Sequence, residues 1–168
     1  IGSVGATGMQ SNFFEDMVAE VLALTGENSP VKVRRVLRNS CMLSSDVSAA
    51  YDPLYPEVFE KKNTVYFGRG LVLNKYTGSR GKNGTNDANA EYVAKVRNVF
   101  DNNHVAFQTA ELGKVDQGGG GTIAYVMANK AMSVINSGVA VLSMHAPYEV
   151  TSSNFRIISV LVELAVLP

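Results

Sequence analysis

The chain has 168 residues, of which 46% are hydrophobic, so it can bury the core of one domain and is not a disordered protein. Its 15 basic residues balance its 15 acidic residues, and this net charge of zero argues against binding to nucleic acid or to a membrane surface. The lone cysteine, Cys41, excludes an intrachain disulfide framework and favours a reducing, cytoplasmic compartment.

The first part of the chain predicts two helices followed by a strand. Asn12 and Glu15 have the spacing of a capping box, and apolar residues then recur at helical spacing as far as Gly26. A second helix is expected over 30–38, because proline is favoured at the first position of a helix. The short apolar run 41–43 predicts a buried strand, in which the cysteine would be a small core residue.

The middle of the chain predicts strands on either side of a polar loop and then a helix. Residues 65–67 and 71–76 resemble strands, whereas 78–85 is so rich in turn-forming residues that no regular structure is expected there. One apolar face recurs over 87–103, which predicts a helix, and residues 104–109 predict another strand.

The last part of the chain combines a glycine-rich loop, a helix and a strand. The loop at 118–121 leads into an apolar pattern at helical spacing over 122–136, which Gly138 would end. The continuous apolar run 139–142 predicts a buried strand, whose end leads to His145. Helices therefore alternate with short strands along the chain, which predicts an α/β fold built as a three-layer sheet with helices on both faces.

Two residues with metal-binding side chains follow buried strands, where the functional loops of α/β sheets gather. Asp46 follows the strand at 41–43, and His145 follows the strand at 139–142. A carboxylate and an imidazole are natural ligands of zinc or a similar ion, but two residues are too few for a metal site. The residues alone favour a plainer interpretation, in which Asp46 caps a turn and His145 is an ordinary loop histidine, because no short-spaced ligand pair is present.

The glycine-rich loop and a lysine offer a second kind of site. Backbone N–H groups at 118–121 could bind a phosphate, but the Lys-Ser/Thr pair of a phosphate loop is missing, since Thr122 and Ile123 stand there. The same loop suits a backbone that lies close to a bound substrate, or a simple tight turn. Lys75, at a strand end, could face a substrate carboxylate or carbonyl, or could be a solvated surface residue.

Five separated motifs agree in order and spacing with a known family. They are Ile1–Gly8, Ser44–Ala49, Lys75–Lys82, Asp116–Ala124 and Ser143–Glu149. Together they resemble the carboxyl-terminal part of bacterial aminopeptidases of the aspartyl aminopeptidase and vacuolar aminopeptidase I family, and the resemblance covers residues 1–152.

The resemblance implies a two-metal exopeptidase that releases amino-terminal residues from peptides, with an α/β catalytic domain of the zinc-exopeptidase kind. Asp46 would bind one metal ion and His145 the other, and the two divalent ions would be zinc, with cobalt or manganese as alternatives. The substrate-binding residues that the resemblance implies are Lys75, Gly120, Gly121 and Thr122. The family also implies a homo-oligomer, usually a dodecamer.

The resemblance also implies residues that this sequence does not contain. The family places a Glu-Glu pair, general base and then metal ligand, directly before the stretch that starts at Ile1, and its bridging aspartate and first histidine lie further upstream. We therefore expect no general base among these residues and no activity from this chain by itself. Residues 1–152 would be the carboxyl-terminal part of the catalytic domain, and 153–168 an apolar tail unlike the family's terminal helix.

Two other functions are compatible with the sequence. One is a catalytically inactive domain that keeps the fold and acts in assembly. The other, weaker alternative is an anion- or nucleotide-binding α/β module built around residues 118–121. In each case we expect neither a nucleic-acid partner nor a membrane partner, because the charge is balanced and no apolar run reaches the ~18 residues of a membrane span.

Overall fold

The structure is a computed structural model that describes residues 3–80, 83–114, 116–117, 119–120 and 122–153. The helices are α1 (Phe13–Leu24), α2 (Pro30–Asn39), α3 (Ala90–Asn102) and α4 (Ala124–Ala128). The strands are β1 (Cys41–Ser45), β2 (Ser48–Ala49), β3 (Leu71–Asn74), β4 (Tyr76–Ser79), β5 (Asn83–Asp87), β6 (Phe107–Thr109), β7 (Ser133–Leu142) and β8 (Val150–Thr151). A turn of 3-10 helix, Pro56–Val58, lies between β2 and β3. Within the described ranges, no helix has the length and apolar character needed to cross a membrane.

Strand β7 lies inside the main sheet, whose strand order is β1-β7-β3-β6. β1 runs parallel to the first half of β7, from Cys41 opposite Ser133 to Ser45 opposite Ser137. β3 runs antiparallel to β7 on its other side and pairs in parallel with β6. The short strands β2 and β8 pair with the last part of β7, and β4 pairs with β5 in a separate two-stranded sheet. The main sheet is therefore mixed, and β7 joins most of its strands.

Helices cover both faces of this sheet. Successive residues of a strand point to opposite faces, so Ile135 and Val134 of β7 enter different apolar clusters. The first cluster contains three buried side chains of α3, which are Tyr92, Val96 and Phe100. The second contains residues of α1, α2 and α4, among them Phe14, Val18, Val33, Leu37 and Met127. This arrangement confirms the predicted α/β class with helices on both faces of a sheet.

The predicted helix over 122–136 is wrong in its second half. α4 ends at Ala128, and the chain from Ser133 onward belongs to β7, because it pairs with β1 and, from Asn136, also with β3. Gly138, which we expected to end a helix, lies in the middle of this strand. The apolar pattern suits both structures, and pairing with two neighbouring strands decides in favour of the strand.

Two expectations for the middle of the chain also need correction. The polar segment 78–85 is regular in part, because β4 and β5 pair there as an antiparallel hairpin. The expected strand over 65–67 forms a single isolated bridge, from Val65 to Ala50. In both segments the available backbone partners determine whether a strand forms. The turn-forming side chains of 78–85 do not prevent β4 and β5 from pairing.

Cys41 is exposed, so its assignment to the core is wrong. It is the first residue of β1, which is the last strand of the sheet order on that side, and this edge position leaves it uncovered. The capping box is not formed either. Asn12 makes no side-chain hydrogen bond to the start of α1, and the Ser11 hydroxyl instead accepts a hydrogen bond from the backbone N–H of Phe13 (3.2 Å).

Candidate metal centre and substrate cleft

Asp46 lies at the break between β1 and β2, where the chain runs close beside β7. Its backbone N–H donates a hydrogen bond to the carbonyl oxygen of Ser137 (3.3 Å). Its side chain is exposed, and its Oδ1 accepts a hydrogen bond from the backbone N–H of Val47 (2.8 Å). Pairing with β7 resumes at Ser48, which lies opposite Ala140. The sheet therefore fixes the backbone of Asp46 and leaves its carboxylate accessible.

The close approach of Asp46 to β7 depends on Gly138. A Cβ atom at position 138 would lie 1.6 Å from the carbonyl oxygen of Asp46, which is far inside any allowed contact. Glycine is accordingly required at this point of the strand, as it is wherever two backbones approach this closely.

His145 lies in the loop 143–149, which joins β7 to β8. Ser143 and His145 have φ angles of 57° and 66°, in the left-handed region that residues other than glycine rarely adopt. The backbone N–H of Ala146 donates to the carbonyl oxygen of Ser143 (2.9 Å), and the Glu149 carboxylate accepts a hydrogen bond from the backbone N–H of His145. The loop is thus held by its own hydrogen bonds, and the His145 side chain is exposed.

The strand register describes how the two predicted metal ligands lie relative to each other. Asp46 is beside Gly138, whereas β7 continues to Leu142 before the loop with His145 begins. At about 3.3 Å per residue, the end of β7 lies roughly 13 Å beyond Gly138. Ligation by both residues in one dinuclear site requires the loop to fold back toward Asp46, so their pairing stays a prediction.

The chemistry of both side chains fits a metal ion. In the described part of the chain, only Val47 donates to the Asp46 carboxylate, and no side chain pairs with the His145 ring. Carboxylate oxygen and imidazole nitrogen are the donors that zinc accepts. No group of three or more His, Cys, Asp or Glu side chains among these same residues is placed to hold a metal ion. A complete site therefore needs ligands beyond those described.

Lys75 lies at a cleft of about 440 Å³ beside the carboxyl ends of β3 and β6. Its ammonium group forms an ion pair with the carboxylate of Asp87. The other residues that line the cleft are Asn63, Tyr76, Thr109, Ala110 and Glu111. Because β3 runs antiparallel to β7, the cleft lies toward the start of β7, away from the loop that carries His145. The polar lining suits a small polar group of a ligand.

The described part of the glycine-rich segment, Gly119 and Gly120, packs against Leu112 and Gly78. A Cβ atom at Gly120 would lie 2.0 Å from Cδ2 of Leu112, so no larger residue fits there without a shift. Thr122 is buried, and its hydroxyl accepts a hydrogen bond from the backbone N–H of Ala124 (3.1 Å). Gly118 and Gly121 lie outside the described residues, so the substrate-side or anion-binding role of this segment stays a prediction.

A pair of buried amides, which no motif in the sequence marks, crosses the sheet close to Asp46. Asn74 of β3 lies opposite Asn136 of β7, and both are at most 2% exposed. Nδ2 of Asn136 donates to Oδ1 of Asn74 (3.0 Å), and Nδ2 of Asn74 donates to the carbonyl oxygen of Ala110 (2.7 Å). An asparagine inside each of two apolar strands is the signal that could have revealed this network.

The chain is similar to known proteins over almost its whole length. A family model described as aminopeptidase I zinc metalloprotease (M18) matches residues 1–162. A probable M18 family aminopeptidase 1 from Clostridium acetobutylicum is 61% identical over 152 residues, which cover 90% of this chain and 33% of that protein. The crystal structure of an M18 family aminopeptidase from Thermotoga maritima has a TM-score of 0.87 at 44% identity, covering 95% of this chain and 36% of that chain.

A more distant structure shares the fold alone. The mApe1 dodecamer of S. cerevisiae superposes with a TM-score of 0.67 at 24% identity, covering 99% of this chain and 38% of that chain. The chain spans about a third of the length of the curated relatives it matches. The elements described above therefore correspond to one part of those longer proteins.

Proposed function

The chain belongs to the M18 family of aminopeptidase I zinc metalloproteases, and we propose that the polypeptide carrying it releases amino-terminal residues from peptides. The observation that carries this proposal is the exposure of Asp46 and His145, two side chains with metal-binding chemistry and no competing side-chain partner among the described residues. The 61% identity to a probable M18 aminopeptidase supports it.

The residues of this chain would bind the metal ions and orient the peptide substrate. Asp46 offers a carboxylate on a backbone fixed by Ser137, and His145 offers an imidazole on a loop closed by Glu149. Two divalent ions, when bound, lower the pKa of a water molecule and polarise the substrate carbonyl. The Lys75 ammonium, held by Asp87, would meet a carboxylate or carbonyl group of the peptide at the cleft.

The complete site would include residues outside this chain. Two ligands do not complete a dinuclear centre, which uses three or more protein ligands for each catalytic zinc. A glutamate would take the proton from the attacking water, and the resemblance places it just before Ile1. We therefore propose that residues 1–168 alone neither retain two ions nor hydrolyse peptides.

Replacement of the two proposed ligands in the complete polypeptide tests this function. Asp46→Ala and His145→Ala should each lower the bound zinc by one ion per subunit and reduce aminopeptidase turnover about 100-fold or more. Metal content is measured by elemental analysis after dialysis, and turnover by release of amino-terminal residues from a peptide. Normal metal content and turnover in either variant would contradict the assignment.

The chain provides a matched control for each substitution. His104 is exposed and has a φ of 54°, close to that of His145, so His104→Ala imposes the same backbone strain without removing a proposed ligand. Oδ1 of Asp52 accepts a hydrogen bond from the backbone N–H of Leu54 (2.9 Å), much as Asp46 does from its neighbour. Asp52→Ala and His104→Ala should keep full metal content and activity. An active wild type rules out the alternative of an inactive assembly domain.

We further propose zinc as the resident ion, a homo-oligomer as the working form and the cytoplasm as the compartment. The description of the family supports zinc, and the mApe1 dodecamer, which shares the fold, supports an assembly of like subunits. The single cysteine is free and exposed, which suits a reducing compartment. Sedimentation velocity and elemental analysis of the purified complete polypeptide test the first two statements.

A further inference from the structure

The outward side of α1 carries an apolar stripe that nothing in the described chain covers. Four large apolar side chains recur there at helical spacing and are at least half exposed: Phe13 (50%), Met17 (52%), Val21 (58%) and Leu24 (89%). The inward side chains of the same helix, Phe14 and Val18, already pack against the apolar cluster that contains Leu37 of α2 and Met127 of α4. A helix that is apolar on both sides is expected to be covered on both sides.

The exposed charges next to this stripe divide by sign between two neighbouring helices. α1 exposes Asp16 and Glu20 and contains no basic residue, whereas α2 exposes Arg34, Arg35 and Arg38 and contains no acidic residue. Within the described part of the chain, none of these five side chains has a hydrogen bond or an ion pair. The surface thus holds unpaired charges of both signs.

We propose that this surface, the α1–α2 face, binds a second copy of the chain across a twofold axis that runs parallel to the two helices. α1 and α2 contact each other and are joined by the short connection 25–29, as in an antiparallel helical hairpin. In such a hairpin, residues equally distant from the connection lie at the same level, which would place Glu20 level with Arg34 and Asp16 level with Arg38.

Rotation about such an axis places α1 of one copy on α2 of the other and leaves these levels unchanged. Each acidic side chain then meets an arginine of the second copy, and symmetry repeats each pair. The apolar stripe becomes buried between the helices, where it excludes water from the ion pairs. A second copy supplies both the acidic and the basic side of this match, which is why we assign it as the occupant.

The inference rests on the proposed assembly of like subunits, and charge reversal in the complete polypeptide tests it. One variant carries Asp16→Arg with Glu20→Arg, a second carries Arg34→Glu with Arg38→Glu, and a third carries all four changes. Sedimentation velocity at micromolar concentration should show association weakened about tenfold or more in the first two variants. The third variant should recover wild-type association, because its charges match again.

The control is a reversal of two exposed acidic residues on the opposite face of the sheet, Glu91→Arg with Asp101→Arg, which should leave association unchanged. If the wild type is monomeric at every concentration, the proposed assembly fails. If the wild type assembles and the reversals change nothing, only the α1–α2 face is refuted, and other parts of the same polypeptide cover it. If the variant with all four changes associates as poorly as the variants with two changes, the proposed pairing of acidic with basic side chains across the axis is refuted.

Cross-linking gives a second test that does not depend on charge. In a background in which Cys41 and every other cysteine of the complete polypeptide are replaced by serine, a preparation with Glu20→Cys is mixed with one carrying Arg34→Cys and oxidised with oxidised glutathione. The mixture should give a disulfide-linked pair with one subunit of each kind, and neither preparation alone should do so. Absence of the mixed pair in a folded, assembled sample would overturn the proposed geometry.

Discussion

Asp46 is held by the main sheet, whereas His145 is held by a loop. The backbone of Asp46 donates to Ser137 and passes so close to Gly138 that no side chain fits between them. His145 depends on its own turn and on the carboxylate of Glu149. Changes beside Asp46 should therefore act on the whole sheet, while changes beside His145 should act on the loop alone. A site built from both would combine a half fixed by the sheet with a half fixed by its loop alone.

The largest expected effect is that of Gly138→Ala, which would break the close contact on the Asp46 side. The added Cβ would lie 1.6 Å from a carbonyl oxygen, so β1 and β7 must separate. We expect a loss of about 3 kcal/mol in the free energy of unfolding, measured by urea titration. Gly26→Ala is the control, since Gly26 has a φ of 84° and open space, and should cost about 1 kcal/mol. Equal losses would refute the contact.

The next effect concerns the amide pair that ties the sheet together beside Asp46. Asn74→Leu removes the acceptor of Asn136 and the donor to Ala110, leaving buried polar groups unpaired. We expect a loss of about 2 kcal/mol in the free energy of unfolding. The double variant with Asn136→Leu should lose at least about 1 kcal/mol less than the sum of the two single variants. Strict additivity would mean that the two amides do not interact.

A smaller effect depends on pH and concerns Tyr92, which lies in an apolar cluster on one face of the sheet. Burial, with a lesser contribution from the neighbouring Cys41 thiolate, raises the pKa of Tyr92 to about 12. Between pH 10 and 12 the unfolded chain loses this proton while the folded chain keeps it, so stability is full below pH 10 and falls above it. We expect the free energy of unfolding to fall by about 1 to 2 kcal/mol over this pH range. Urea titrations at several pH values between 10 and 12 measure this change. Tyr92→Phe should flatten that part of the profile, and an unchanged slope would contradict the assignment.

The smallest effect is expected on the loop side. Glu149→Ala removes the acceptor for the backbone N–H of His145, so amide exchange over 143–149 should accelerate about fivefold. The free energy of unfolding should stay within about 0.5 kcal/mol of the wild type, because the loop lies outside the core. Glu57→Ala, on an exposed turn, should leave exchange in that loop unchanged. A global loss of stability would show that the loop is part of the sheet after all.

The parts of the fold that the sequence predicts well are those set by local signals. The start of α2 follows from Pro30 and the end of α1 from Gly26, and both helices lie within a residue or two of the predicted positions. The chain from Ser133 to Asn136 has an apolar pattern that suits a helix or a strand, and pairing with residues far away in sequence makes it a strand. Such pairing leaves no trace in a short window of sequence.

The candidate site also has a part that the sequence predicts and a part that it does not. Residue chemistry and motif order single out Asp46, His145 and Lys75, but not the staggered register of the strands that carry them. That register follows from β7 extending past β1, and from the antiparallel direction of β3. Gly138 is required because the backbone of Asp46 lies close to it across the sheet. A glycine in the sequence does not by itself reveal such a contact.

The position of β7 also fixes the order in which the chain can fold. β1 and β3 are not neighbours in the sheet, because β7 lies between them, and Cys41 pairs with Ser133, far later in the chain. At ~5–20 residues per second, a ribosome would make β7 roughly 5–20 s after β1. Until β7 is made, the edges of β1 and, once it is synthesised, β3 lack the strand that pairs with them, so the nascent chain is exposed to pairing with other chains.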